Sequence, residues 1–398
     1  MEDSKPDIVM FALPRWDGDF SSTALSLSKE MSKSTRVFYI DNPFTLKDLL
    51  AGLFKRNILK RIGALLFGIN KYRLIQEGND RLINVTPLVT LPINFLPSGR
   101  LYGRFSNFND KRVFGCLASL QRDYGLSEFI FINSYNPFYF LHFRGLKPKC
   151  SIYHCVDNIA ESKYVAKHGK RLEVAMIQQY DLTIVTSRKL YEYASQLNPN
   201  THYLPNAADF SLFNGLQNSS NITTPKEIES ISGRVVGYIG SVDHRIDYEL
   251  LKSIAEHTEW TLLLVGPTGN DFEKSGLDSR KNVVSVGAKP LEQLPTYLNY
   301  MDCGIIPFLC NKLTESIYPL KLNEYLAAGV PVVTTNFSTD LNEFATIVEV
   351  VSDTRLFDNA VLKQIDSDSP AKRLARTEMA RANSWESRVK DFWRIVNL

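Results

Sequence analysis

Short β-branched runs alternate with longer amphipathic stretches along most of the chain, and this alternation restricts the fold more than any other feature. Strand, helix and strand repeated in one direction build a parallel sheet with crossover helices. In the first half, strands are expected at 7–12, 36–40, 129–133, 151–154, 182–186 and 202–204. A second series is expected at 235–239, 261–265, 283–286, 304–307, 332–334 and 348–351. Helical periodicity fits 22–33, 170–179, 247–257, 291–300 and 320–328. No repeat of 20 to 50 residues is visible. The stretch 210–233 is rich in Asn, Ser, Thr and Gly and reads as a linker. The expected fold is α/β, with Rossmann-like domains at 1–209 and 234–370 and a helix-prone tail at 371–398. Trp385, Phe392 and Trp393 in that tail need a surface to cover, which predicts that it packs back across the domain junction.

A length of 398 residues suits two domains, and 44% hydrophobic with 22% charged residues describes a globular chain. The longest uncharged, apolar-leaning stretch, 82–99, contains Pro87, Pro92 and Pro97, which argues against a spanning helix. The start lacks the basic residues and cleavage site of a signal peptide. Five scattered cysteines without a CxxC pair predict free thiols in a reducing, cytoplasmic setting. Neither a nucleic-acid partner nor an obligatory metal is expected.

Charge is unevenly shared. Residues 1–210 carry 27 Lys/Arg against 19 Asp/Glu, or +8, and the remainder 19 against 24, or −5. The first half is therefore the one expected to face anionic material. Within it, Leu46, Leu50, Phe54, Ile58, Ile62, Leu65 and Ile69 recur at helical spacing among seven basic residues. A basic amphipathic helix over 46–75 can lie in a membrane interface at the inner face of the cytoplasmic membrane; packed on its own domain it has the same pattern.

The most specific stretch runs from Tyr318 to Thr335: a loop, a helix opening near Pro319, a stop at Gly329 and a strand begun by Pro331. A helix N-terminus offers free N–H groups and positive potential to a diphosphate, and Lys321 in its first turn adds a full charge. Glu324, one turn on, can accept hydrogen bonds from both ribose hydroxyls. A capped helix with an internal salt bridge accounts for the same residues, so spacing alone leaves both readings open.

Pro319-Leu320-Lys321-x-x-Glu324-Tyr325-Leu326-Ala327-Ala328-Gly329-x-Pro331-Val332-Val333 resembles the donor-binding signature of bacterial GT-B glycosyltransferases of the retaining, family-4-like group. The resemblance implies two Rossmann-like domains whose parallel sheets face an interdomain cleft. It implies that Glu324 holds the donor ribose and that the loop and helix start Tyr318, Pro319, Leu320 and Lys321 cover diphosphate and sugar. That group usually has another acid at the position of Ser316; here Glu315 stands one residue out of register. Val236–Ser241 resembles the first donor-domain strand and its glycine turn, which gives Gly240 and Ser241 to the phosphates. Arg245 takes the place of a customary diphosphate-gripping arginine, and Lys321 that of the missing lysine. Gly266, Val286 and Gly287 fall at strand ends that would line the nucleotide pocket. The first half is similar to polysaccharide-building transferases related to teichuronic-acid enzymes.

The acceptor and any catalytic base are then expected in the first half. Pro14–Asp19 and Tyr153–Asn158 follow expected strands, where ligands bind in open parallel sheets. Asp17 or Asp157 would be the general base of an inverting enzyme and would position substrate in a retaining one. The bland readings are a turn shaped by Asp17 and a helix capped by Asp157. Asn133–Pro137 is a third strand-end loop. The implied activity is transfer of a sugar from a nucleoside-diphosphate donor, UDP-sugar before GDP-sugar. The acceptor would be a saccharide or lipid-linked molecule in cell-surface polysaccharide synthesis. A nucleotide-sugar epimerase or hydrolase, or a non-catalytic sugar-nucleotide-binding protein, are the alternatives.

Overall fold

A computed structural model of the chain describes residues 5–18, 22–52, 56–159, 163–215, 224–229, 231 and 233–397. The chain divides into two compact units, Met1–Leu204 with Val389–Leu398, and Pro205–Arg388.

The first unit is built on eight strands: β1 (Asp7–Ala12), β2 (Val37–Ile40), β3 (Tyr72–Leu74), β4 (Leu82–Val85), β5 (Phe129–Ser134), β6 (Cys150–Cys155), β7 (Leu182–Val185) and β8 (Thr201–Tyr203). Their order is β3-β4-β2-β1-β5-β6-β7-β8, and every pairing is parallel except β3 with β4. The central strands read as continuous apolar runs because helices cover both faces of such a sheet; Ile8 to Ala12 are wholly buried. The strand order reverses between β1 and β5, so the loops leaving these two strands diverge and open a crevice.

The second unit repeats the plan with β9 (Arg234–Ile239), β10 (Trp260–Val265), β11 (Val283–Ser285), β12 (Cys303–Ile306), β13 (Val332–Thr335) and β14 (Glu349–Val351). The order is β11-β10-β9-β12-β13-β14, all parallel, with the reversal between β9 and β12. Helices start where short polar side chains cap them: Ser22, Ser187, Asp247 and Ser369 each accept a first-turn N–H.

Two expectations need correction, and one long helix is new. Among its described residues the region 46–75 forms three short helices, Leu46–Ala51, Arg56–Leu59 and Ile62–Phe67, followed by β3, and not one long helix. Gly52 and Gly68 end the first and third, and Leu49, Ile58 and Leu65 pack inward with Phe44 and Val89. The stretch read as a linker opens with a helix, Phe210–Asn214, capped by Asp209, and its Phe213 is buried in the second unit's core. The longest helix, Arg100–Tyr124, had no counterpart among the expected elements.

Candidate functional site

At the C-terminal end of the second unit's sheet, two glycine turns meet. Gly240 follows β9 with φ +141° and Gly266 follows β10 with φ +153°, conformations that L side chains rarely adopt. Gly240 N donates to Val265 O at 2.8 Å. A Cβ on Gly266 would overlap the Gly240 carbonyl, and a Cβ on Gly240 would be driven into Lys321 Cε and lie 2.9 Å from its Nζ. The glycines therefore let backbone meet backbone, with one lysine side chain laid across the turn.

That lysine belongs to helix Leu320–Ala327, whose N-cap is Pro319. No side chain caps this helix and its first turn holds no acid, so its positive end is not neutralised, although Leu320 N and Leu322 N already donate to Tyr318 O and Pro319 O at 2.8 and 3.0 Å. Tyr325 fastens the helix to the sheet: its hydroxyl accepts from Ile239 N at 2.7 Å, and its ring occupies the space over Gly304. Lys321 Nζ stands 5.7 Å from the ring centroids of both Tyr238 and Phe308.

The electrostatics follow from this packing. Burial pushes the Lys321 ammonium down to about 8, assisted by Arg245 and opposed by Glu324 and Asp243. Burial lifts the Glu324 carboxyl to about 7, with Lys321 opposing. Both side chains keep some solvent contact, so the pair is enclosed by protein rather than sealed. Arg245 makes a two-pronged ion pair with Asp243, at 2.9 and 2.7 Å, and lies 5.8 Å from the Phe308 ring. Val286 and Gly287 follow β11, where Val286 N donates to Leu264 O and Gly287 turns the chain away.

Gly240, Ser241, Arg245, Gly266, Val286, Gly287, Pro319, Leu320, Lys321 and Glu324 thus all lie at one end of one sheet. Tyr318 is different. Its side chain is a core residue, and its hydroxyl accepts from Asn323 Nδ2 at 3.3 Å, so only its backbone can line this edge. Ser316 is also turned inward, its Oγ donating to Leu313 O at 2.9 Å. Glu315, half-buried, sits in the turn Thr314–Ser316 just before the helix.

In the first unit the two sequence candidates lie on different loops. Asp17, after β1, is held at 2.8 Å by Arg61, a buried guanidinium. Asp157, after β6, is exposed, and its Oδ1 accepts from the adjacent Asn158 N at 2.8 Å. His154 is buried and drawn down to about 4 by that burial, with Nδ1 3.1 Å from Ser134 Oγ.

Sequence reading missed two carboxyls here. Asp41, after β2, is buried; Trp16 N donates to its Oδ1 at 3.2 Å. Burial pushes Asp41 up to about 6, against the approach of the Asn84 amide and the Trp16 N–H. Glu173, on helix Lys163–Gln179, accepts from Tyr153 at 2.6 Å and Tyr193 at 3.3 Å, and burial lifts it to about 7. Asp41 follows a strand and sits in the Asp41-Asn42-Pro43 turn, a signal that was legible; Glu173 lies mid-helix and carries none.

This architecture, with two Rossmann-like units on parallel-dominant sheets, is the GT-B class of fold. Residues 233–366, spanning β9 to β14, match the protein family described as "Glycosyl transferases group 1". The chain is 29% identical over 252 residues to a protein described as "Putative teichuronic acid biosynthesis glycosyltransferase TuaH" from Bacillus subtilis (strain 168). That alignment covers 60% of this chain and 62% of the relative, less than two thirds of its length. Among solved structures, a sucrose-phosphate synthase from Thermosynechococcus elongatus superposes with a TM-score of 0.68 at 15% identity, over 99% of this chain and 98% of the other. An α,α-trehalose-phosphate synthase (UDP-forming) from Burkholderia xenovorans, in complex with glucose-6-phosphate, gives 0.67 at 12%, over 99% and 100%. An E. coli trehalose-6-phosphate protein bound with UDP-2-fluoro glucose gives 0.65 at 12%, over 97% and 98%. At such identities the likeness establishes the fold.

Proposed function

We propose that the protein is a glycosyltransferase that takes a sugar from a nucleoside-diphosphate donor held by its second unit. The observation that carries this reading is the Lys321–Glu324 pair on one short helix, beside the Gly240–Gly266 backbone contact. A cation at the positive end of a helix suits a diphosphate, and a carboxylate one turn away suits a ribose. As the glycosidic bond breaks, negative charge grows on the leaving diphosphate, and Lys321, Arg245 and the positive end of the helix would stabilise it. A UDP-sugar is the first donor to test and a GDP-sugar the second. The resemblance to TuaH supports a role in cell-surface polysaccharide synthesis with a saccharide or lipid-linked acceptor.

The acceptor is assigned to the first unit, at the strand-end loops that carry Asp17 and Asp157. Work at the cytoplasmic face of a membrane fits this scheme. Leu50, Leu59, Phe67 and Ile69 are exposed apolar residues in the basic region 46–75, and Leu101, Phe105 and Phe108 form an exposed stripe on helix Arg100–Tyr124. Among the described residues no helix is long and apolar enough to cross a membrane. Flotation with anionic and neutral vesicles tests the contact; absence from the anionic ones removes it.

For the donor site, a thermal-shift screen of nucleoside diphosphates on wild type and Glu324→Ala is the direct experiment. A shift in the wild type that the variant loses supports the site. An equal shift in both moves the site elsewhere.

A further inference from the structure

The loop from Ser241 to Asp247 carries Arg245 past the end of β9 and is tied down on both sides. Val242 N donates to Pro267 O at 2.9 Å and Gly269 N to Val242 O at 3.0 Å, which fastens its start to the turn after β10. Asp247 N donates to Pro307 O at 2.8 Å and Leu309 N to Arg245 O at 2.9 Å, which fastens its end to the segment after β12. Within this frame Asp243 grips Arg245 three times. Its Oδ1 accepts from Arg245 N at 3.1 Å and Nε at 2.9 Å, and its Oδ2 from Nη2 at 2.7 Å. Both side chains are part-exposed, Asp243 at 24% and Arg245 at 28%. The guanidinium lies 5.8 Å from the Phe308 ring, and Lys321 Nζ lies 5.7 Å from the same ring. Two cations thus gather round one aromatic side chain, where their charges repel.

The grip is written in three consecutive residues. Asp353-Thr354-Arg355, after β14, repeats it on open surface: Oδ1 accepts from Arg355 N at 3.1 Å and Nε at 2.9 Å, and Oδ2 from Nη2 at 2.7 Å. Arg355 is 87% exposed there, and such a surface pair contributes little. The Asp-x-Arg geometry is therefore local and set before any ligand arrives; what distinguishes Asp243 is where it stands. We propose that Asp243 is a positioning residue of the donor site, holding Arg245 in one orientation for the diphosphate and serving as counter-charge to Arg245 and Lys321 together. An arginine that roams among rotamers loses that freedom on binding, whereas one already held by a carboxylate two residues away does not. The counter-charge has a consequence of its own. Burial is the largest influence lowering the Lys321 ammonium, and Arg245 adds to it, while Glu324 on the same helix and Asp243 on the loop oppose it. Exposed His244, its Nδ1 3.9 Å from Asp243 Oδ1, is the further titratable neighbour of this carboxylate.

This inference rests on the donor-site reading, and its test tells the two failures apart. Calorimetric titration of UDP, with GDP as second ligand, would run from about pH 7.5 to 9.5, where an exposed imidazole is uncharged. The proteins are wild type, Lys321→Ala, Asp243→Asn, Asp243→Glu, Arg245→Ala, the Asp243→Asn/Arg245→Ala double variant and Asp353→Asn. At the lower pH, Asp243→Asn is expected to bind UDP roughly two- to tenfold more weakly, the effect of ordering one long side chain. In the Arg245→Ala background it should add little, and Asp353→Asn should bind like wild type. The loss of affinity at alkaline pH should begin lower in Asp243→Asn and higher in Arg245→Ala, opposed shifts that a general loss of structure does not produce. Asp243→Glu keeps the charge but not the grip, so it should bind more weakly with the wild-type pH dependence, and it decides the matter if Asp243→Asn melts early. Unchanged or tighter UDP binding by Asp243→Asn overturns the inference, and so does equal weakening with and without Arg245 or by Asp353→Asn. In each case a Lys321→Ala protein that still loses UDP leaves the donor site intact. A wild type that binds neither nucleotide removes both readings.

Discussion

Replacing Gly240 by alanine isolates what the glycine turn does. The new Cβ would be driven into Lys321 Cε, would lie 2.9 Å from Nζ and 3.0 Å from the Tyr238 hydroxyl, and would carry φ +141°. The clash with Lys321 is cheap to relieve, because a flexible side-chain end can move away. The backbone cannot escape as easily, and a side chain held in so sparse a region costs about 1–3 kcal/mol. The melting temperature should accordingly fall by several degrees. The larger effect is on ligand binding. Displacing the ammonium removes a charge-assisted hydrogen bond worth about 1.5–3 kcal/mol, or roughly ten- to hundredfold in affinity for a nucleoside diphosphate. Calorimetric titration of UDP into wild type, Gly240→Ala, Lys321→Ala and the double variant reads this directly. If the glycine serves only to seat Lys321, the double variant binds no more weakly than Lys321→Ala, since contacting residues are non-additive. Losses that simply add would refute the reasoning, and so would a Gly240→Ala protein that binds UDP like wild type.

Three further outcomes follow from the same geometry. Lys321 is charged below about 8 and Glu324 ionised above about 7, so kcat/KM should fall on both sides of that interval; Glu324→Gln should abolish the acid limb and keep the alkaline one. Tyr325→Phe strands the Ile239 N–H beneath the site, and urea unfolding should show a loss of about 1–3 kcal/mol with weakened UDP binding. Asp17→Asn leaves the buried Arg61 without its carboxylate, so it should lower the melting temperature as well as activity; an unchanged melting temperature with activity lost would favour a catalytic base instead.

The second unit was nearly transparent to sequence reading because its requirements are local. Short β-branched apolar runs, several of them ending in glycine, located all six strands, and the Pro319–Gly329 helix announces itself by its ends. The Tyr318 side chain turns into the core, and neighbouring residues in a loop give no sign of which side chain points inward. The first unit hides more. The first half of helix Arg100–Tyr124 inverts the usual pattern, burying Ser106, Asn109 and Asp110 and exposing Leu101, Phe105 and Phe108, while its second half buries Val113, Phe114, Leu117 and Leu120 in the ordinary way. The buried polar groups are satisfied by chain far away in sequence. Asn109 bonds both backbone groups of Leu91, and Asp110 accepts from Leu141 and His142. A hydrophobic periodicity cannot anticipate such partners. The region 46–75 failed for the opposite reason, since its helical spacing is real but runs through Gly52 and Gly68, which break it into pieces.

The Lys321–Glu324 pair also explains why the site should take an anion. In the absence of ligand, burial opposes both charges, which draws the lysine down and the carboxyl up until they titrate within about one unit of each other. The charged pair is therefore poorly stabilised by its surroundings. A diphosphate placed at the uncapped helix end would restore the lysine's charge by direct Coulomb attraction, raising its pKa on binding. By linkage, binding at pH 8.5 should then take up roughly three-quarters of a proton at this lysine, whereas binding near pH 6 takes up almost none there. Titrations at pH 8.5 in buffers of different ionisation enthalpy measure that proton; a value near zero would mean that Lys321 does not meet the phosphates.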